Sequence, residues 1–257
     1  MAINDVELLE GRAGGEPALE VALPPALLTM VSHGQRGPVL RHYRPPAMVA
    51  FGRRDALLPG FRRAAAIAVR LGFTPVIRSA GGRAAAFDEG CIVFDEIMPT
   101  TDSTIGIRAR FEDEANRLTQ ALRRLGADAR VGEVAGEYCP GEYTVNARGV
   151  TKLVGTAQRI VRGAWLFSTV VVVRSANRLR DVLERVYGEL ELAWDPRTFG
   201  SVTKEVPGVT IEEVERALLQ SYARRYRLTA VKLSRHELAA AAELLDWHRV
   251  SIAPGTE

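Results

Sequence analysis

Apolar residues recur with two different spacings along the chain, and the change of spacing predicts where strands give way to helices. Between residues 39 and 173 short apolar runs are separated by turns rich in Gly, Pro and Asp, which is typical of strands. Between 177 and 250 apolar residues recur at helical spacing. Strand and helix do not alternate regularly, so the pattern predicts an α/β (α+β) fold with a mixed, largely antiparallel sheet flanked by helices.

Local signals predict the ends of several elements. Arg162 and Gly163 predict a hairpin between strands 152–161 and 164–173, and the run 170–173 is apolar on both faces, as in a central strand. We expect a loose start over 1–37, apart from a short helix at 26–32, and a bent strand pair within 39–51. Further helices are predicted at 61–71, 110–125, 178–190, 210–226 and 236–247.

Composition narrows the class of protein. The chain has 257 residues, of which 47% are hydrophobic, enough for a sizeable core. We predict one domain, 1–257, with a β-rich core at 39–173 and a helical part at 177–250. The sequence contains no signal-like segment and no apolar run of membrane-spanning length, which predicts a cytoplasmic protein without a membrane partner. A formal net charge of only +3 gives no reason to expect a nucleic-acid partner.

The two cysteines have different surroundings. Cys91 lies in an apolar strand and is predicted to be core, whereas Cys139 lies in a polar loop rich in Gly and Pro, where a thiol is accessible. Two cysteines form neither a disulfide framework nor a zinc site, so no metal is predicted. Cys139 is therefore the candidate nucleophile, although a lone loop cysteine can also be incidental.

A glycine-rich segment lies between two predicted strands, before the cysteine. Adjacent glycines let the backbone approach a ligand closely, and exposed amides bind anions or carbonyls, although such a pair can also be an ordinary turn. The candidate substrate-binding residues here are Arg78, Ser79, Gly81, Gly82, Arg83 and Ala84.

A lysine begins a strand after a tight turn. Lys152 is one of only three lysines among the 34 basic residues, and its compact ammonium can polarise a carbonyl or hold a phosphate. A solvated lysine beside a hairpin is the alternative. The residues that follow in the same strand are the other substrate-binding candidates: Gly155, Thr156, Ala157 and Gln158.

Together and in this order, these segments resemble the lipoate-protein ligase A and octanoyltransferase family, whose fold is shared with biotin protein ligases. Residues 78–84 match the family pattern Arg-x-Ser/Thr-Gly-Gly-x-Ala except that Ala80 occupies the Ser/Thr position, and 151–159 are similar to its lysine motif. The resemblance implies transfer of an octanoyl or lipoyl group to a lysine of a lipoyl carrier domain. It implies that Cys139 and Lys152 are catalytic and that no cofactor is needed.

Within the family, a thiol in the loop before the lysine strand is typical of the cysteine-dependent octanoyltransferases and amidotransferases. That branch implies an acyl carrier protein or the glycine-cleavage H protein as donor, and a lipoyl domain as acceptor. One departure is that Phe87 and Asp88 lie near where many relatives have a histidine and an aspartate. Two alternatives remain: an ATP- and Mg-dependent ligase, which usually has an extra C-terminal domain, and a non-catalytic acyl-binding protein.

The proposed chemistry leads to one spatial prediction. The sulfur of Cys139 and the ammonium of Lys152 should meet at the mouth of one apolar cavity that holds the acyl chain. The candidate walls of that cavity are Val76, Ala84, Ala86 and Val154.

Overall fold

A computed structural model describes residues 4–102 and 105–252 of the chain. The strands are β1 (Asn4–Glu10), β2 (Val39–Tyr43), β3 (Met48–Phe51), β4 (Thr74–Ile77), β5 (Ala85–Phe87), β6 (Cys91–Pro99), β7 (Ala129–Val131), β8 (Val145–Ala147), β9 (Thr151–Val161), β10 (Ala164–Val172) and β11 (Tyr226–Val231). The helices are α1 (Pro17–Ser32), α2 (Phe61–Arg70), α3 (Ile107–Arg124), α4 (Ala176–Glu189), α5 (Val202–Glu205), α6 (Ile211–Ala223), α7 (Arg235–Ala242) and α8 (Leu245–His248).

Eight strands form a large sheet in the order β11, β1, β2, β6, β10, β9, β8, β7. β1 runs parallel to both of its neighbours, and the remaining pairs are antiparallel. A second sheet has the order β4, β3, β5. The predicted mixed, largely antiparallel sheet is confirmed, as are the β9–β10 hairpin and the interior position of β10.

Side chains alternate between the two faces of the large sheet, as strand geometry requires. On β6, Ile92 and Phe94 pack against α3 and α6, whereas Cys91 and Ile97 face the opposite side. On that opposite side lie α1 and, beside it, the small sheet backed by α2 and α4. Within the described ranges, none of the helices combines the length and the apolar run needed to cross a bilayer.

The N-terminal prediction is wrong in two respects. Residues 4–10 form a strand, and α1 begins at Pro17 and continues through Pro24 and Pro25. A proline has no N–H, so Pro24 leaves the Glu20 carbonyl without its helical donor, but the buried Arg41 side chain donates to that oxygen at 3.2 Å. Packing on the sheet therefore compensates for a local sequence that disfavours a helix.

Two further predictions need correction. The runs within 39–51 do form β2 and β3, but these strands do not pair, because the segment between them crosses from the large sheet to the small one. The part at 177–250 is not purely helical: after α6 the chain forms β11, which pairs with β1 at the edge of the sheet, and the last predicted helix is split into α7 and α8. Helices α2, α3 and α4 lie where the sequence predicts them.

Candidate active site

Two cavities meet at Cys139. The inner cavity lies between the large sheet, the small sheet and α1. The outer cavity lies on the other side of the glycine-rich loop, and Arg53, Arg54 and Pro140 form part of its wall. Three residues line both cavities: Ser79, Ala80 and Cys139. Cys139 is the one among them with a thiol, the most nucleophilic of these side chains.

Two N–H donors, one from the backbone and one from a side chain, are directed at the sulfur of Cys139. The residue lies in the loop between β7 and β8, half-buried, with a left-handed φ of 43°. The Arg83 backbone N–H donates to Sγ at 3.1 Å, and a guanidinium nitrogen of Arg78 lies 3.8 Å from it. Such donors suit the negative charge of a thiolate, which is the nucleophilic form.

The glycine-rich loop is shaped to approach the cysteine. The Arg83 guanidinium binds the buried Asp55 at 3.0 Å, and Asp55 also accepts the Gly52 N–H at 2.9 Å. Gly82 has φ +100°, and a Cβ atom there would lie 2.4 Å from an Arg78 guanidinium nitrogen and 2.7 Å from Sγ of Cys139. Only glycine therefore fits next to the sulfur without displacement.

A matched pair of variants tests this close approach. In Gly82→Ala the new methyl group displaces Arg78 or the thiol, and we expect acylation of Cys139 to fall by roughly a hundredfold. Gly81 has open space where its Cβ would lie, so Gly81→Ala should retain acylation within about twofold. Intact mass spectrometry against time measures both rates, and equal rates would contradict the steric argument.

Lys152 is buried and its donors point at the cysteine loop. Its ammonium donates to the carbonyl oxygens of Tyr138 at 3.1 Å and of Cys139 at 2.7 Å, and lies 3.4 Å from a carboxylate oxygen of Glu137. Burial lowers the pKa of Lys152, and the Glu137 carboxylate partly opposes that effect. Glu137 is held in turn by the Gly141 N–H and the Thr144 hydroxyl.

The structure brings Cys139 and Lys152 together, because both line the same inner cavity and Lys152 binds the cysteine's own carbonyl. That this cavity holds an acyl chain stays a prediction. In this geometry the donors nearest the sulfur are those of Arg83 and Arg78, while Lys152 holds the loop from behind. The catalytic roles of Cys139 and Lys152 stay predictions.

The other predicted residues divide between the cavities. Arg78, Ser79, Gly155, Thr156 and Ala157 line the inner cavity. The outer cavity is lined by Gly81, Gly82 and Arg83, together with Ser79.

Ala84 and Gln158 were predicted to bind substrate, but they line neither cavity. Ala84 is fully buried in the core, and its carbonyl accepts from Tyr187. Gln158 binds Arg110 and the Ile107 carbonyl on the side of α3.

The predicted cavity walls are also wrong. Val154 packs into the core on the other face of the large sheet. Ala84 and Ala86 face α2 and α4, and Val76 is covered within a separate core cluster. The residues of β5 that line the inner cavity are Ala85 and Phe87, because side chains one residue apart in a strand point to opposite faces.

Sequence reasoning missed a polar group in the inner cavity, formed by Glu20, Tyr43, Asp95 and Ser168. The available signal was a carboxylate inside the apolar run of β6, since a buried charge needs a partner or a function. Among the described residues, no three or more His, Cys, Asp or Glu side chains are grouped to hold a metal ion.

The fold is that of the lipoate-protein ligases. The solved structure of a putative lipoate protein ligase from T. acidophilum with bound lipoic acid superposes with a TM-score of 0.74, at 23% identity over 96% of each chain. The profile of the lipoyl protein ligase A/B catalytic domain matches residues 16–223. The chain belongs to this family, as its motifs predict.

Two curated relatives are similar to this chain in sequence. The octanoyl-GcvH:protein N-octanoyltransferase of Geobacillus kaustophilus is 32% identical over 169 residues, 66% of this chain and 59% of that protein. The enzyme of the same name from Anoxybacillus flavithermus is 30% identical over 178 residues, 69% of this chain and 64% of its own length. The chain thus matches less than two thirds of the length of either relative.

Proposed function

We propose that the protein is an acyltransferase that moves an octanoyl or lipoyl group to a lysine of a lipoyl carrier domain through a thioester on Cys139. The observation that carries this proposal is the position of Cys139, which lines both cavities and has two N–H donors directed at its Sγ. The inner cavity holds the acyl chain, and the outer cavity receives the carrier lysine.

The chemistry proceeds in two acyl transfers. The thiolate of Cys139 attacks the carbonyl carbon of the donor's acyl group, and a C–S bond forms. The bond from that carbon to the donor's nitrogen or sulfur breaks, and the leaving group takes up the proton that the thiol released when it ionised. The amine of the acceptor lysine then attacks the thioester, an amide bond forms, the C–S bond breaks and the thiol regains its proton. The Arg83 N–H and the Arg78 guanidinium stabilise the oxyanion that develops in each step, and Lys152 positions the loop and polarises the acyl carbonyl.

The partners follow from the same proposal. The curated relatives are named for transfer from octanoyl-GcvH to protein, which supports an H protein as donor and a lipoyl domain as acceptor. An acyl carrier protein is the other candidate donor. Arg53 and Arg54 are exposed beside the outer cavity, which suits an acidic carrier. We place this exchange in the cytoplasm and expect it to need no cofactor.

One experiment separates this function from an ATP-dependent ligase. Octanoyl-loaded H protein or acyl carrier protein is incubated with the enzyme and an unmodified lipoyl domain, without ATP, and intact mass spectrometry follows all three. We expect the lipoyl domain to gain one octanoyl group. Modification that requires ATP, magnesium and free acid would establish the ligase instead, and ligand retention without any transfer would indicate a binding protein.

A further inference from the structure

The peptide group between Gly82 and Arg83 is confined on both of its sides. In a trans peptide the C=O and the N–H point in opposite directions, and the described residues include no cis peptide bond. The N–H, which belongs to Arg83, donates to Sγ of Cys139 at 3.1 Å. The carbonyl oxygen, which belongs to Gly82, lies so close to Gly52 that a Cβ atom on Gly52 would overlap it. Only the hydrogen of a glycine fits against this oxygen.

One buried carboxylate holds the groups on either side of that peptide. Asp55 is completely buried, and its Oδ2 accepts the Gly52 N–H at 2.9 Å, which fixes the backbone against which the Gly82 carbonyl rests. Its Oδ1 accepts from the Arg83 guanidinium at 3.0 Å. Asp55 therefore connects the two segments that meet at the peptide, although it lines neither cavity itself.

The orientation of this peptide decides whether the sulfur meets a donor or an acceptor. Rotation of the peptide by half a turn would replace the N–H with the Gly82 carbonyl oxygen, which would repel a thiolate and the oxyanion of an acyl transfer. Glycine permits such a rotation, because Gly82 has no Cβ and already has a left-handed φ of +100°. The loop that approaches Cys139 so closely therefore needs a contact elsewhere to keep its direction.

We propose that Asp55 is a positioning residue for the thiol chemistry: by holding Gly52 and the Arg83 guanidinium, it keeps the Arg83 N–H directed at the sulfur. The inference rests on the proposed function, because it adds a residue to the same acyl transfer. Asp55 acts on Cys139 only through the peptide. In the resting protein the N–H favours the thiolate, and during transfer it stabilises the oxyanion.

Alkylation by iodoacetamide tests the inference without any acyl group. The unmodified chain and Asp55→Asn are alkylated over a range of pH, and intact mass spectrometry gives the rate at each pH. The carboxamide of asparagine has one oxygen, so it cannot accept from both Gly52 and Arg83, and the peptide is free to turn. We expect the midpoint of the pH profile to rise by about one pH unit, as for loss of a hydrogen bond to a charged group.

Acylation provides a second readout. With the octanoyl thioester of N-acetylcysteamine, the maximal rate of adduct formation on Asp55→Asn should fall by roughly tenfold to a hundredfold, because a donor to the oxyanion loses its direction. The thioester concentration that gives half of the maximal rate should stay within about twofold, because Asp55 lines neither cavity.

Asp88→Asn is the matched control. Asp88 is also a buried carboxylate that accepts from a glycine N–H and an arginine: Gly90 at 2.8 Å and Arg178 at 3.1 Å. Both partners lie outside the glycine-rich loop, and Asp88 lines neither cavity. Its substitution should lower the free energy of unfolding about as much as Asp55→Asn does, but leave the pH profile and the acylation rate unchanged.

A double variant keeps the test decisive where Asp55→Asn alone is too unstable. In Asp55→Asn, Arg83→Met, neither member of the ion pair remains charged, so stability should recover in part, whereas the backbone N–H at position 83 remains and is still not held. We expect the raised midpoint and the slow acylation to persist in this variant.

Failure of this inference differs from failure of the proposed function. A pH profile and acylation rate in Asp55→Asn equal to those of Asp88→Asn, or their full recovery together with stability in the double variant, would overturn the inference and leave the acyltransferase intact. Absence of any acyl adduct on the unmodified chain would count against the thioester function, and the alkylation profiles would still decide the role of Asp55.

Discussion

The Cys139→Ala variant is expected to form no octanoyl adduct and to lose acyl transfer by roughly a thousandfold or more, because no other thiol in the described part of the chain lies where the cavities meet. Its fold should be unchanged, since the half-buried side chain loses only one sulfur atom. Intact mass after incubation with the octanoyl donor reports the adduct, and mass of the lipoyl domain reports transfer.

Cys91→Ala provides the matched control for this prediction. Cys91 is fully buried, and burial raises the pKa of its thiol to about 12, so it stays protonated and unreactive. Its replacement should cost roughly 1 kcal/mol of stability and leave adduct formation and transfer in place. An adduct that persists on Cys139→Ala and disappears from Cys91→Ala would reverse the assignment.

Replacing Lys152 with methionine should reduce both stability and transfer. The substitution leaves the buried Glu137 carboxylate without its cation and two loop carbonyls without a donor, so we expect the free energy of unfolding to fall by roughly 3–5 kcal/mol. Transfer should fall by about a hundredfold or more, because the cysteine loop and the acyl carbonyl lose the same ammonium. Chemical denaturation and the carrier assay measure the two effects.

A second substitution separates these two roles. In the double variant Glu137→Gln, Lys152→Met, neither member of the buried ion pair remains charged, and the new amide oxygen can still accept from Gly141 and Thr144. Stability should recover by a few kcal/mol while transfer stays low. Full recovery of transfer together with stability would show that Lys152 acts only in holding the fold.

Local signals in the sequence are sufficient to predict part of the β-rich core. The turn residues Arg162 and Gly163 predict the hairpin that forms, because a hairpin depends on residues close together in the chain. The family resemblance of their motifs, and not the local pattern, implies that Cys139 and Lys152 reach one cavity.

The predictions that were wrong concern features that depend on contacts between distant segments. Whether Ala84 or Ala85 faces the cavity changes with a shift of one residue, and the local pattern does not determine which face of a short strand is covered. Asp95 becomes part of the cavity only through its pairing with Arg41 and Ser168 on neighbouring strands. The strand β11 forms because β1 offers an edge, which no local pattern reveals.

A hydrogen bond next to Pro24 connects α1, which covers the inner cavity on one side, to the large sheet on the other side. The helix lacks one of its own hydrogen bonds at Pro24, and the replacement donor, Arg41, belongs to the sheet beneath it. A sliding movement of α1 would leave that buried carbonyl without a hydrogen-bond donor. We therefore expect the proposed acyl cavity to keep its height, so that it would select chains by how well they fit the existing space.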